Sequence, residues 1–225
     1  GPYNKMCPTD SRGLRSVTGC LATAMAQIVN YWQYDTDCER GIHTNVYYPE
    51  CTVDYSESEY DWSNMRDTYS RVSYSTQEAN AVAKLMYDCG VAVDMSYSSS
   101  SSGAYNESVP QALSAFFGFS SRMQCCSRNS YSTGKWVSLL KNELDSKRPV
   151  LYSGHSESSG HAFVCDGYDI RYGGREPEYF FHFNWGWDGK DDGFFLLAAL
   201  RPEEGRDYSG SQSAVINIRP AFDDD

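Results

Sequence analysis

Between residues 15 and 32 apolar side chains recur at helical spacing: Leu21, Met25, Ile28, Val29 and Trp32 share one face, and Ala22, Ala24 and Ala26 keep the surface slim. The pattern predicts a helix that opens at Cys20, directly after Gly19, and lies deep in the protein. A helix start has backbone N–H groups without intrahelical acceptors and carries partial positive charge, which favours a thiolate. Cys20 therefore reads either as a nucleophile or as one more packed thiol, since free cysteines are commonly buried.

The same reading extends along the chain. Residues 1 to 19 carry Pro2, Pro8, Gly13 and Gly19 without a period and are expected as surface loop, and residues 34 to 74 are polar, aromatic and irregular. Ser75-Thr-Gln-Glu78 is a capping box ahead of the stripe Ala79, Val82, Ala83, Met86 and Cys89, with Gly90 as the expected stop. Val91 to Tyr97 reads as an extended piece, and Ser98 to Ser102 with Gly103 as a solvated linker. Ser108-Val-Pro-Gln111 opens another helix that buries Leu113, Phe116 and Phe117 and closes at Gly118. A further helix spans about Lys135 to Ser146, with Trp136, Leu139, Leu140 and Leu144 inward.

From Pro149 the period becomes that of strands, at 149–153, 161–168, 179–184, 193–197 and 214–218. Helices first and antiparallel strands last predict an α+β fold in a single domain over 1–225, with a helical lobe to about residue 148 and an antiparallel β lobe over about 149–225. The Asp223 to Asp225 run is expected as a solvated tail.

Composition narrows the partners. The chain has 225 residues, 40% of them hydrophobic, enough to bury a sizeable core, and a net charge of −11 with scattered Lys and Arg. That balance argues against nucleic acid or an anionic membrane as partner, and no apolar run is long enough for membrane insertion. The start at Gly-Pro-Tyr-Asn, without initiator Met or signal peptide, is expected of a processed or truncated product. The eight cysteines include no Cys-x-x-Cys, so no metal is expected. Cys38 and Cys51 flank one polar segment as the most plausible disulfide, and Cys89 and Cys165 read as reduced core residues.

A thiolate nucleophile needs a base that holds its proton and later delivers it to a leaving amine. Of the four histidines, His43 and His155 fall in irregular or Gly/Ser-rich stretches and His182 inside a strand, whereas His161 starts a strand after Ser-Ser-Gly160. Pairing 161–168 with 179–184 as a hairpin would bring Asn184 beside His161 to within a residue or two. There the Asn184 carbonyl would accept the imidazole N–H and fix its tautomer, with Trp185 shielding that bond.

The blocks Pro2-Tyr-Asn4, Thr18-Gly-Cys-Leu-Ala-Thr-Ala24, Val93-Asp-Met95, Gly160-His-Ala-Phe-Val-Cys-Asp-Gly167, Asn184-Trp-Gly-Trp187 and Asp192-Gly-Phe-Phe195 resemble the streptopain family of secreted bacterial cysteine proteases. The resemblance implies a papain-like two-lobed fold in which Cys20 sits on a central helix. It also implies a monomeric endopeptidase, without metal or organic cofactor, made as a zymogen whose N-terminal prodomain inhibits it. Its substrates are expected to be proteins or peptides with an apolar side chain two residues before the scissile bond.

Cys20 then matches the nucleophile, His161 the general base and acid, and Asn184 with Trp185 the pair that orients and covers the histidine. Gly160, the loop Ser102, Gly103 and Ala104, and Trp187 are the implied substrate contacts. The family's oxyanion-hole glutamine lies just upstream of Pro-Tyr-Asn, beyond the start of this chain, and Cys125 and Cys126 match no family role. Two other readings use the same residues: a papain-like cell-wall amidase, and a catalytically degenerate scaffold that binds protein or glycan through its Tyr-rich surface.

Overall fold

The computed structural model describes residues 1–203 and 205–224, the side chains of 223 and 224 excepted. Of the expected acidic tail, Asp225 and those two side chains lie outside the described residues. The chain forms two compact units, Gly1–Ser121 with Pro220–Asp225, and Arg122–Arg219. The division falls at Ser121 rather than near 148, so the helix at Thr133–Asp145 belongs to the strand-rich unit.

The first unit is built on α1 (Cys20–Trp32), α2 (Thr76–Ala92) and α3 (Val109–Phe117), with a short antiparallel pair β1 (Ile42–Thr44) and β2 (Thr52–Asp54). In α1, Leu21, Ala22, Ala24, Met25, Ala26, Ile28 and Val29 are buried, and the alanines on its flanks are what let neighbouring elements approach on more than one side. α2 starts at the expected capping box, Ser75 accepting the Glu78 N–H and Glu78 accepting the Ser75 N–H.

α2 does not stop at Gly90. It continues to Ala92 and absorbs the first two residues of the expected extended piece. Gly90 serves close approach instead, because a Cβ there would lie 2.2 Å from the Tyr97 hydroxyl. The hydroxyls of Ser58 and Tyr60 and the Lys84 ammonium converge on the fully buried Asp88 carboxylate, at 3.0, 2.7 and 2.7 Å, so this buried charge is paired and hydrogen-bonded. The C-terminal residues return to this unit, where the Ala221 N–H donates to the Gly118 carbonyl at 3.0 Å.

The second unit is one antiparallel six-stranded sheet packed by one helix, α4 (Thr133–Asp145), capped by the Ser132 hydroxyl. Its strands are β3 (Gln124–Ser127), β4 (Val150–His155), β5 (Gly160–Arg171), β6 (Glu178–Asn184), β7 (Gly193–Phe195) and β8 (Gly210–Ile216), in the order β3-β8-β4-β5-β6-β7. The core is aromatic: Trp136, Tyr152, Phe163, Phe181, Phe183 and Trp185 are all fully buried. Inside it the Trp136 indole N–H donates to the Tyr152 hydroxyl at 3.0 Å, which in turn donates to Gln212, whereas the Trp185 indole N–H has no hydrogen-bond partner.

The expected Cys38–Cys51 disulfide is absent; neither residue is bridged. Cys38 is exposed in a loop, whereas Cys51 is buried and hydrogen-bonded to Tyr87, so the two face different environments. Cys89 and Cys165 are fully buried, as expected of core residues. Burial pushes the Cys7 thiol up to about 11 and raises those of Cys51, Cys89 and Cys165, which keeps these thiols protonated.

Candidate active site

Cys20 is the first residue of α1, half-buried, and preceded by Gly19 at φ 85° and ψ 145°. That backbone conformation belongs to glycine, and a Cβ on Gly19 would also meet the Met95 sulfur at 2.7 Å and the Ser102 carbonyl oxygen at 3.2 Å. Gly19 brings no capping side chain, so the positive end of the α1 dipole is not neutralised there by a side-chain cap and faces the Cys20 position. The Thr23 hydroxyl and N–H both donate to the Gly19 carbonyl, at 3.0 and 3.2 Å, which fixes the entry of the chain into the helix.

The serine run is not a solvated linker. The Val17 N–H donates to the Ser98 carbonyl at 3.0 Å, and the Ser102 hydroxyl accepts the Ser98 N–H at 3.0 Å and donates to the Val17 carbonyl at 2.7 Å. Ser96 and Gly103 exchange both backbone hydrogen bonds, at 2.8 and 3.1 Å. Residues 96–103 thus form a closed loop tied to the segment that delivers Cys20. Of the implied substrate contacts, Ser102 is buried with its hydroxyl engaged, Gly103 is exposed with both backbone groups paired, and Ala104 is half-buried.

In the second unit, a four-residue turn connects His155 of β4 to Gly160 of β5, and these two residues pair directly. His161 follows, half-buried, opposite Gly154. Gly160 is exposed, and a Cβ on it would press to 2.9 Å from the His155 ring.

The β5–β6 register differs from the expected hairpin. The two strands close at Arg171 and Glu178, and although a bulge between Cys165 and Gly167 brings Asn184 one residue nearer, Asn184 still lies opposite Val164, three residues beyond His161. The histidine is instead held by a backbone atom, its Nε2 lying 2.8 Å from the Trp185 carbonyl oxygen. A carbonyl only accepts, so Nε2 carries the proton and Nδ1 keeps a lone pair in the neutral ring. The Asn184 side chain accepts the Gly186 N–H at 3.0 Å.

Aromatic rings enclose the imidazole. Trp187 stacks at 5.1 Å between centroids with planes 15° apart, Trp185 at 6.4 Å and 12°, and Phe163 and Tyr208 pack at 5.5 and 5.2 Å. Burial among them lowers the His161 pKa from its ordinary value; the Trp185 carbonyl opposes this and the nearby Arg206 charge adds to it. Arg206 lies over the Trp187 ring at 6.0 Å. Tyr208, Arg206 and Asp192 carried no role in the sequence reading. Asp192 lay in plain view in the Asp192-Gly-Phe-Phe195 block, but only the folded loop reveals that its carboxylate accepts the Trp185 N–H at 3.0 Å. Among the described residues no group of three or more His, Cys, Asp and Glu side chains is arranged to hold a metal ion. Among the described residues no helix is long and apolar enough to cross a membrane.

The fold and sequence are similar to those of known cysteine proteases. Interpain A cysteine protease of Prevotella intermedia, in its active wild-type form, superposes with a TM-score of 0.80 at 33% identity, over 95% of this chain and 88% of that one. A fragment of its precursor, prointerpain A, gives 0.76 at 34% identity over 95% of this chain and 67% of that one. The mixed helix and antiparallel-sheet architecture is therefore that of the papain-like cysteine proteases.

Streptopain of Streptococcus pyogenes is 35% identical over 97% of this chain, which spans 59% of the relative's length. The thiol protease/hemagglutinin PrtT of Porphyromonas gingivalis is 34% identical over 98% of this chain and 26% of its own. Peptidase C10 is the family whose sequence profile matches residues 1–195, a span that includes Cys20, His161 and the loop that holds the histidine, and this chain belongs to that family.

Proposed function

We propose that the protein is a cysteine endopeptidase in which Cys20 is the nucleophile and His161 the general base and acid. The observation that carries the reading is the bond from His161 Nε2–H to the Trp185 carbonyl, which leaves Nδ1 as the basic nitrogen of a ring whose direction is fixed. Nδ1 takes the Cys20 thiol proton, the thiolate attacks the substrate carbonyl, and the imidazolium returns the proton to the leaving amine as the C–N bond breaks. Water, deprotonated by Nδ1, then attacks the thioester and releases the acid with regeneration of the thiol. The lowered proton affinity of buried His161 suits the second half of each step, in which the ring must give its proton away.

Asn184 acts in this scheme on the backbone that holds the histidine, and Trp185 and Trp187 exclude water from the imidazole face. Gly160, Gly103 and Ala104 remain candidate contacts for an extended substrate backbone, Gly103 through its exposed surface rather than its paired backbone groups. Substrates are proteins or peptides, with an apolar side chain two residues before the cleaved bond. The existence of a precursor form of interpain A supports synthesis as a zymogen with an inhibitory prodomain. Membership of this family supports secretion and action as a monomer in a single peptidase domain.

The test is hydrolysis of casein by the purified protein, with labelling of Cys20 by a thiol-reactive epoxide. Loss of both in C20A, and loss of hydrolysis in H161A, is the expected result. Cleavage of peptidoglycan but not of casein would replace the endopeptidase reading by that of a cell-wall amidase, and absence of both cleavage and labelling by that of a binding scaffold.

A further inference from the structure

The histidine is held by a carbonyl of the chain itself, so its direction is only as well defined as the backbone of residues 184 to 186. That backbone opens a loop over residues 185–192 between β6 and β7, in which Gly186, Asp188, Gly189 and Asp191 have φ of 78°, 57°, 88° and 64°. Two of these are aspartates, which adopt the left-handed region more readily than most side chains, so the loop turns sharply within eight residues. Two side chains hold the backbone of the loop at its Trp185 end.

Asn184 Oδ1 accepts the Gly186 N–H, which belongs to the same peptide group whose carbonyl holds His161. Asp192 stands immediately before β7, across the mouth of the loop, and its Oδ1 accepts the Trp185 N–H at 3.0 Å. The two peptide groups that flank the Trp185 Cα are thereby fixed from both sides. The fully buried indole between them, packed on Phe163 at 4.5 Å and Phe195 at 5.2 Å, leaves little freedom to rotate.

We propose that Asp192 is a positioning residue for His161: its carboxylate clamps the Trp185 N–H so that the Trp185 carbonyl presents itself to the imidazole Nε2. The inference rests on the protease reading for its catalytic consequence, but its geometry lies wholly within the second unit. The carboxylate is not there for its own comfort. Burial raises its pKa, Asp191 of the same loop and Asp166 of β5 raise it further, and only the Trp185 N–H and His182 of β6 act in the other direction. A charge placed where burial and two neighbouring carboxylates disfavour it, with a main-chain N–H as its hydrogen-bond donor, has a directional role.

The test compares D192A with D192N, which keeps an oxygen acceptor at the same place. Nitrogen-15 NMR of the histidine rings reads the His161 tautomer directly, and steady-state kinetics on a chromogenic peptide reads catalysis. In the wild type and in D192N, His161 is expected as the Nε2–H tautomer, with kcat of D192N within about threefold of wild type. In D192A the ring signals average between tautomers and kcat falls by about tenfold or more while KM changes by less than about twofold.

A D192A protein with wild-type ring signals and kcat overturns the proposal, as does a D192N protein that loses both. If D192A does not fold, D192N carries the test alone on the same criterion. A wild-type protein that cleaves no peptide, with the tautomer contrast intact, supports the clamp and overturns the protease reading instead.

Discussion

The start of α1 and the loop after β6 each hold one side chain of the proposed catalytic pair, and they do so by different means. Cys20 is fixed from below: it is the first residue of a rigid helix, its entry angle is set by a left-handed glycine, and residues 96–103 tie down the strand of chain that precedes it. His161 is fixed from its tip, by a carbonyl 24 residues away in sequence and by a stack of aromatic rings. Cys20 therefore depends on backbone geometry close to it. His161 depends on a loop that contains no part of its own strand, and is the more exposed of the two to distant substitutions.

The largest effects come from the two side chains themselves. C20A and H161A should each lower kcat/KM on casein-derived peptides by at least about 10³-fold, with unchanged near-UV circular dichroism. Residual activity in either variant would break the comparison at its root.

Gly19→Ala comes next. It forces an L-residue into φ 85° and drives a Cβ against Met95, at a cost of about 1–2 kcal/mol from the backbone alone. It should lower the melting temperature and slow epoxide labelling of Cys20, yet leave the His161 ring resonances unmoved. A change at His161 would show that the two regions are not independently held.

Ser102→Ala removes the donor to the Val17 carbonyl and the acceptor of the Ser98 N–H in a buried setting, at a cost of about 1–3 kcal/mol. Chemical denaturation should register that loss, and Cys20 labelling should slow less than in Gly19→Ala, because α1 itself remains intact.

The smallest effect is a displacement along the pH axis. Burial and, to a smaller degree, Arg206 lower the proton affinity of His161, so R206A should move the acidic limb of the kcat/KM profile, where the imidazole gains the proton that removes its basic lone pair, to higher pH. Linkage gives a companion result for stability. A histidine whose folded pKa lies below its ordinary 6.5 contributes stability that is present above 6.5 and is lost as the pH falls through that value towards the folded pKa. Melting temperatures of wild type and H161N, measured across that window, should converge as the pH falls.

The contrast between the two regions also explains what could be read in advance. α1, the capping box of α2, α3 and α4 were legible because each is specified by spacing and caps within its own segment. The extent of α2 was not, since Gly90 is indistinguishable in sequence from a helix stop until Tyr97 packs against it. β3, with its polar sequence Gln124-Cys-Cys-Ser127, becomes a strand only by pairing with β8. The serine run looked like a linker because serine is generic in composition, and its hydrogen bonds to Val17 and within itself exist only once the chain has folded.

Chain order and local pattern alone determined that a cysteine opens a helix, that a histidine begins a strand, and that Asn184-Trp-Gly-Trp187 follows the next strand, because those features depend on neighbours a few residues away. Only the tertiary structure decided which group accepts the hydrogen bond of the imidazole N–H. A one-residue bulge between Cys165 and Gly167 sets Asn184 opposite Val164, the Trp185 carbonyl takes the position at Nε2, and Asp192 clamps that residue from the far side of the loop. Register and loop closure are collective properties of paired strands, and no single segment encodes them.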